Sequence, residues 1–390
     1  MSLPGATMAT AFALALAPAV SLGLARFSYA LLLPAMRADL GWSYFTAGLM
    51  NTANAAGYLV GALMLPRLLR HFDARQVLIT GGAAAALLLA LHGAVRSESA
   101  LLLLRGATGI ASAASFVAGG LLASRLAITA PAQAGLVLGV YYGGTGLGIV
   151  AASWLVPPLL NLAPASWAWA WLALGMLSML ATAWTAVRTR SLSAPPVVGA
   201  PRAPIVLRDY AWALAGYLMF GLGYIGYMTF IVTLLREQGL SGPAIVAFYT
   251  VLGLGVVASS WLWAGLLQRQ RGGLPMALLN GLLALATLLP VLSAQPVAVF
   301  VSGALFGSVF LSVVASTTAL VRHNAAPAAW SAGITAFTIV FAAGQIVGPG
   351  IVGLVADGAG GLTRGLAWSA AALALGSVLA LRQRALPGAR

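Results

Sequence analysis

Residues 23–43 read GLARFSYALLLPAMRADLGWS, and a related stretch, GLGYIGYMTFIVTLLREQGLS, occupies 221–241. The two align without a gap at a shift of 198. The matched positions are Gly23 with Gly221, Leu24 with Leu222, Tyr29 with Tyr227, Asp39 with Glu237, Gly41 with Gly239 and Ser43 with Ser241. A shift of 197 further along places Arg125 on Arg322. Charged matches at one near-constant shift predict two successive copies of one unit.

Composition places these units in a lipid bilayer. The 390 residues are 61% hydrophobic and 7% charged, with a mean hydropathy of +0.98, far outside the range of soluble domains. A span needs about 20 apolar residues, so the chain has room for about a dozen membrane helices and for no sizeable soluble domain. The absence of cysteine excludes disulfides and cysteine metal sites, and three scattered histidines predict no metal site.

Charges, prolines and polar clusters divide the chain into twelve apolar segments. The predicted segments are 8–36, 44–66, 76–95, 100–124, 134–160, 166–187, 209–235, 244–267, 274–293, 297–321, 330–356 and 366–381. No basic residue precedes the first segment, so we interpret it as a helix and not as a cleaved signal. The predicted fold class is an all-α membrane protein with twelve transmembrane helices.

Arginine positions predict the orientation, since the sequence contains no lysine. Fourteen of the twenty arginines lie in the even-numbered loops and the C-terminal tail, whereas the odd-numbered loops hold four arginines and four acids. The positive-inside rule therefore places both termini in the cytoplasm. The net charge of +14 is explained by this topology, and we expect no nucleic-acid partner.

The loop RTRSLSAPPVVGAPRAPIVLR (188–208) is too polar to span the membrane and too short to fold alone. It predicts a cytoplasmic linker between two pseudo-symmetric six-helix halves, 1–187 and 209–390. Secondary transporters use such a parallel duplication to place a substrate site at the midplane between the halves.

The chain resembles the major facilitator superfamily, whose fourth helix carries Arg-x-x-x-Gly, as in the run RGATG of 105–109. GLARFSYALLLPAM, the following LGWS and the run YYGGTGLGIV (141–150) are similar to the YbfB/YjiJ-type branch. The resemblance implies a multi-pass transporter of the bacterial inner membrane, working by alternating access, with Arg105 in a structural or gating role.

Two family motifs are altered. The superfamily's loop between the second and third helices usually reads Gly-x-Leu-x-Asp-Arg-x-Gly-Arg-Arg, but Leu65 holds the expected acid position and only Asp73 and Arg75 retain its end. Exporters of the superfamily carry Gly-Pro in the fifth helix, where this chain has Gly143 followed by Gly144. The second difference removes one sequence argument for antiport-type efflux.

Arg26 lies ten residues before Arg37, about 15 Å along a helix, and therefore near the middle of the membrane. A central arginine costs at least about 2.5 kcal/mol on insertion scales, so Arg26 should face protein, water or a ligand. All six acidic residues fall at loops or helix ends, which leaves Arg26 without a predicted carboxylate partner. Either an anionic substrate supplies the missing charge, or Arg26 is a structural lock held by neutral groups.

Other polar and aromatic residues recur at helical spacing on the predicted helices. Amides are costly to bury and favour the cavity or bonds across helices, whereas each single aromatic residue is equally compatible with ordinary packing. The candidate substrate-binding residues are Arg26, Tyr29, Asn51, Asn54, Tyr58, Tyr141, Tyr224, Tyr227, Phe341 and Gln345. Under the duplication Tyr224 corresponds to Arg26, so the site would be basic on one side and aromatic on the other.

These features predict a monomeric carrier of a small, monocarboxylate-like organic anion that needs no cofactor. His92 is the sole titratable candidate for a proton carrier in the membrane, so we expect any proton coupling to use the bound anion or water. Anion exchange and facilitated diffusion stay open. The alternatives are an exporter of hydrophobic or amphipathic compounds and a membrane enzyme. The second lacks a carboxylate pair, a metal cluster and a Ser/His/Asp arrangement.

Overall fold

The computed structural model describes residues 4–163, 165–192 and 203–386; residues 193–202 of the predicted linker lie outside this part. The first long helix, α1, consists of the consecutive pieces Pro4–Pro18, Ala19–Phe27 and Tyr29–Leu40. The other long helices are α2 Tyr44–His71, α3 Ala74–His92, α4 Glu98–Thr129, α5 Ala134–Leu160, α6 Trp167–Arg188, α7 Ala211–Glu237, α8 Gly242–Leu262, α9 Leu274–Leu292, α10 Pro296–Asn324, α11 Trp330–Ala356 and α12 Gly361–Leu381. Short helices at Pro131–Gln133, Leu207–Tyr210, Ala264–Arg269 and Pro327–Ala329 occupy some of the connections.

Membrane-spanning character is clear in eleven helical segments of the described chain, each long and apolar enough to cross a bilayer. The prediction of an all-helical, multi-pass membrane protein is confirmed. The remaining predicted segment, 44–66, does form a helix, α2, but is not among the eleven. It carries Asn51 and Asn54 in its middle and basic residues in its last turn.

The repeated sequence stretch builds the same turn twice. Gly41 ends α1 with a φ of 66°, and Gly239 follows α7 with a φ of 85°, a left-handed conformation that favours glycine. Two residues later Ser43 and Ser241 cap the next helices, accepting hydrogen bonds from the backbone N–H groups of Thr46 at 3.1 Å and Ala244 at 3.4 Å. The sequence match therefore reflects a shared helix stop and start.

Helix packing also recurs with a shift of six helices. In the first part α2 packs on α4, α4 on α3 and α3 on α6; in the second part α8 packs on α10, α10 on α9 and α9 on α12. Between the two parts, α2 packs against α11 and α5 against α8. Both of these contacts between the two parts require glycine. A Cβ on Gly48 would lie 2.3 Å from the Pro349 carbonyl oxygen, and a Cβ on Gly146 would lie 2.3 Å from the Gly253 carbonyl oxygen.

Opposite ends of the bundle differ. We call the end where α1 stops and α2 starts the far face, and the end where α2 stops and α3 starts the near face. At the far face the Asp357 carboxylate accepts hydrogen bonds from the backbone N–H groups of Tyr44 at 2.7 Å and Phe45 at 2.9 Å. The Tyr44 hydroxyl donates to Glu237, and the Arg37 guanidinium lies 3.7 Å from the Tyr44 ring centroid. The far face is thus closed by contacts between helices from both parts of the chain.

Candidate functional site

Arg26 lies on an unusual piece of helix. Residues Ala19–Phe27 form a π-helix, in which hydrogen bonds span five residues, as from the Ser28 N–H to the Gly23 carbonyl at 3.0 Å. Such wide turns are rare and often occur at functional sites. Gly23 packs directly on Gly148 of α5, where a Cβ would meet backbone at 2.5 Å. The wide turn and this close approach together position Arg26 inside the bundle, with 4% of its surface exposed.

The Arg26 guanidinium is only partly satisfied. Its Nη2 donates to Oε1 of Gln345 on α11, which belongs to the other part of the chain. Its Nε is buried and has no hydrogen-bond partner in the described chain. The rings of Phe27 and Tyr58 each lie 6.0 Å from the guanidinium carbon. No acidic residue of the described chain forms an ion pair with Arg26.

A cavity that is open on one side begins at Arg26. Its volume is about 690 Å³ when the solvent space at its open side is included. Five of the predicted site residues line it: Arg26, Tyr58, Tyr224, Phe341 and Gln345. Its lining continues along α2 from Ala55 to Ala62 and along α11 from Gln345 to Thr338, which is the direction of the near face. Arg26 is the one charged side chain among the described residues that line it.

Asn51 and Asn54 lie on the far-face side of the cavity and do not line it. The Asn51 amide donates to the Thr229 hydroxyl of α7 at 2.7 Å, and the Asn54 amide donates to the Arg105 carbonyl at 3.2 Å. Arg105 is 1% exposed and fully engaged. Its Nη2 donates to Asn51 Oδ1 at 2.8 Å, Nη1 to the Ala25 carbonyl at 2.9 Å and Nε to the Met50 carbonyl at 3.3 Å. These bonds join α1, α2, α4 and α7 in one buried polar layer.

Three predicted tyrosines are also packed outside the cavity. The Tyr29 hydroxyl donates to the Ala47 carbonyl at 3.0 Å. Tyr227 pairs with the Ser302 hydroxyl at 2.7 Å and stacks on Phe306. Tyr141 donates to the Phe116 carbonyl. All three hydroxyls therefore have partners within the protein, away from the cavity.

Asp73 and Arg75 lie at the near face. Asp73 caps α3 by accepting a hydrogen bond from the Arg75 backbone N–H at 2.8 Å, and the Gln76 side chain accepts from the Asp73 N–H at 3.2 Å. The Arg75 guanidinium donates to the Ala186 carbonyl at the end of α6, at 2.7 Å. This pair therefore anchors the loop between α2 and α3 to a neighbouring helix.

Several cavity residues were absent from the sequence-based set. Phe220, Phe310, Phe27 and Phe116 all line the cavity. We name the first two, together with Tyr224 and Phe341, the aromatic wall. A recognisable signal existed for Phe220, which precedes Tyr224 by one helical turn. Phe310 has the same kind of signal, since it follows Phe306 by one helical turn, but the sequence does not show which face of α10 borders the cavity.

Family and fold comparisons agree with this arrangement. A family model described as "Uncharacterised MFS-type transporter YbfB" matches residues 18–381. The chain belongs to this family of the major facilitator superfamily. Members of the superfamily are small-molecule transporters and not enzymes, so the protein is a membrane transporter.

Two solved transporter structures have the same fold. A bacterial homologue of the human lysosomal transporter Spinster, inward-facing and unoccupied, superposes with a TM-score of 0.69 at 15% identity and covers 98% of this chain and 96% of its own. The nucleoside transporter NupG superposes with a TM-score of 0.71 at 14% identity and covers 95% of this chain and 97% of its own. At these identities the likeness concerns the fold alone. No curated protein matches the chain.

Proposed function

We propose that this transporter moves a small, monocarboxylate-like organic anion across the bacterial inner membrane by alternating access. The halves 1–187 and 209–390 rock about a site at Arg26, joined by the cytoplasmic linker 188–208. Both termini are cytoplasmic in this proposal. The near face, where the arginine-rich even-numbered loops lie, is then the cytoplasmic face. The cavity that opens toward it corresponds to an inward-facing state.

The observation that carries the proposal is that one edge of the Arg26 guanidinium has a bonded nitrogen, Nη2, and an unbonded one, Nε. In an arginine side chain the Nε–H and one Nη2–H point to the same side, where they match the two oxygens of a carboxylate. In this protein a neutral amide oxygen from Gln345 accepts from Nη2, and Nε is left unpaired. A carboxylate entering the cavity would satisfy both donors and supply the missing negative charge.

Alternating access is supported by the unequal ends of the bundle and by the recurring helix packing. The far face is closed by Asp357, Tyr44 and Glu237, whereas the cavity lining runs from Arg26 toward the near face. The Spinster homologue with the same fold is described as inward-facing. Since Arg26 bonds to Gln345 of the other half, its bond partner changes whenever the halves separate.

Proton coupling, in this proposal, involves the bound anion or water and no membrane histidine. His92 is fully buried, with Nδ1 2.7 Å from the Leu88 carbonyl and its ring stacked 4.6 Å from Trp171. It does not line the cavity. Anion exchange and facilitated diffusion are equally compatible with this site.

Matched ligands and a matched variant test the proposal. We expect cyclohexanecarboxylate to raise the melting temperature of the purified protein, and its carboxamide and cyclohexylamine to have no such effect.

Arg26→Gln should weaken anion binding by at least about 30-fold, equivalent to about 2 kcal/mol, and should abolish uptake into proteoliposomes. Arg364→Gln, the same change at an exposed arginine, should leave both unaffected. Undiminished uptake by a folded Arg26→Gln protein would overturn the anion site.

An exporter of hydrophobic or amphipathic compounds is the second candidate, and the aromatic wall favours it. Such a site would bind by apolar burial, with no requirement for charge. The carboxamide would then stabilise the protein as strongly as the acid, and Arg26→Gln would bind both ligands normally. The same melting experiment therefore separates the two candidates.

A further inference from the structure

The aromatic wall has an orderly geometry that the anion site alone does not require. Phe220 and Phe341 lie 5.3 Å apart with ring planes 7° from parallel, and Phe220 and Tyr224 lie 4.7 Å apart at 19°. Tyr224 and Phe310 lie 6.0 Å apart at 11°. The four rings come from α7, α10 and α11, so their common orientation is not a by-product of spacing on a single helix.

The wall and Arg26 border the same cavity and divide its chemistry in two. Arg26, with Gln345 beside it, supplies the polar end, while the remaining lining is rings and aliphatic side chains such as Ala55, Leu59 and Ala62, together with Thr338, whose hydroxyl donates to the Ile334 carbonyl of its own helix. Such a cavity fits a molecule with one anionic group and an apolar body. The near-parallel rings add a preference for the shape of that body, because aromatic rings interact best in offset stacks or edge to face.

We propose, building on the anion site above, that the substrate is an aromatic carboxylate. Its carboxylate binds the Nε and Nη2 edge of Arg26 and displaces Gln345. Its flat ring packs on the aromatic wall and extends the stack at Phe341, the member of the wall that is not fully buried. Phe341 and Tyr224 are then specificity-determining residues, and Arg26 is the residue that provides affinity for any carboxylate.

Benzoate and cyclohexanecarboxylate distinguish this proposal from a general preference for apolar acids. The two have the same charge and the same number of ring carbons, but one ring is flat and aromatic and the other is puckered and saturated. Burial of apolar surface alone favours the saturated ring, which exposes more of it. A preference for benzoate therefore reports ring stacking.

Calorimetric titration of the purified full-length protein with both acids provides the test. We expect benzoate to bind about two- to tenfold more tightly, the range that aromatic stacking provides. Phe341→Leu, which keeps an apolar side chain of similar volume, should reduce this preference for benzoate to a ratio of about one or below. Phe337→Leu is the matched control, since Phe337 lies one turn away on α11, packs on Tyr210 and Tyr217 and does not line the cavity.

The outcomes separate the two proposals. Equal or tighter binding of cyclohexanecarboxylate by the wild-type protein, lost in Arg26→Gln, would overturn the aromatic preference and leave the anion site intact. Failure of the wild-type protein to bind either acid would overturn both. The ratio of the wild-type affinities for benzoate and cyclohexanecarboxylate tests the aromatic preference even if Phe341→Leu fails to fold.

Discussion

Arg26 and Arg105 are both arginines of the first six helices, with 4% and 1% of their surfaces exposed, yet their surroundings differ in kind. Arg105 donates from all three guanidinium nitrogens, to the carbonyls of Ala25 and Met50 and to Asn51. Arg26 has one partner, Gln345, on a helix of the other half, and a buried Nε without any. Burial alone therefore does not distinguish a structural charge from a binding charge.

The distinction lies in which helices supply the partners. Every acceptor of Arg105 belongs to α1 or α2, which like α4 are among the first six helices, so the rocking motion proposed above would leave these bonds intact. The acceptor of Arg26 is Gln345 on α11, and the proposed substrate would replace it. We therefore interpret Arg105 as a charge that stabilises the first six helices, and Arg26 as the charge that the proposed anion would bind.

Arg105→Met should be the most damaging change, because it removes three buried hydrogen bonds at once and leaves Asn51 Oδ1 without the donor that it has in the wild-type protein. A hydrogen bond to a charged group contributes about 1.5–3 kcal/mol, so we expect a loss of about 3 kcal/mol or more in the free energy of unfolding. Thermal unfolding of the detergent-solubilised protein measures it. Arg26→Met is the control and should be close to neutral, since it removes an incompletely satisfied charge. Equal destabilisation by the two changes would remove the distinction between them.

Gln345→Glu should weaken anion binding by about tenfold or more, because a fixed carboxylate would then satisfy the Arg26 edge and compete with the substrate. Titration with benzoate and cyclohexanecarboxylate measures the effect. Gln345→Met removes the amide without adding a charge and should bind the acids at least as well as the wild-type protein. If both variants bind equally poorly, Gln345 itself contacts the substrate and the proposed displacement is wrong.

Asp357→Asn should have the smallest effect of the three substitutions. We expect it to destabilise the closed far face, relative to the open one, by about 0.5–1 kcal/mol, because an amide interacts more weakly with the N-terminal end of α2 than a carboxylate does. The far face should open more often. The chain lacks cysteine, so Thr229→Cys in the buried polar layer provides a single label site. We expect Asp357→Asn to speed its modification by a thiol reagent about two- to fivefold.

Asp39→Asn is the control in the same Thr229→Cys background. Asp39 pairs with Arg96 at 2.5 Å and accepts from the Trp167 ring N–H at 2.8 Å, all within the first six helices. It lies at the same face but has no hydrogen bond to a described residue of the second six helices. Faster labelling in both variants would mean that general loosening, and not the Asp357 contact, controls access.

The sequence predicted the helices well because apolar length is a local property. All twelve predicted segments coincide with long helices, and the main errors concern their ends. The segment predicted at 100–124 is the helix Glu98–Thr129, and that predicted at 44–66 continues to His71. Backbone hydrogen bonds continue past the point where side chains become polar, so hydropathy underestimates helix length.

The buried position of Arg26 was also predictable, but its neighbours were not. The sequence places Arg26 and Tyr29 on one face, as expected three residues apart on an α-helix. The π-helix that ends at Phe27 changes this relation, and Tyr29 packs on Ala47 outside the cavity. The partnership with Gln345 joins residues 319 positions apart, and no local pattern encodes a contact of that kind.

The cap of α2 has a practical consequence. The backbone N–H groups of Tyr44 and Phe45 donate to Asp357, a residue of the other half, while Ser43 caps the next free N–H, that of Thr46. In the proposed transport cycle, these two amides are shielded from solvent deuterium only while the far face is closed. Hydrogen–deuterium exchange at these two positions, read against Thr46, would measure the time spent open in the unlabelled wild-type protein.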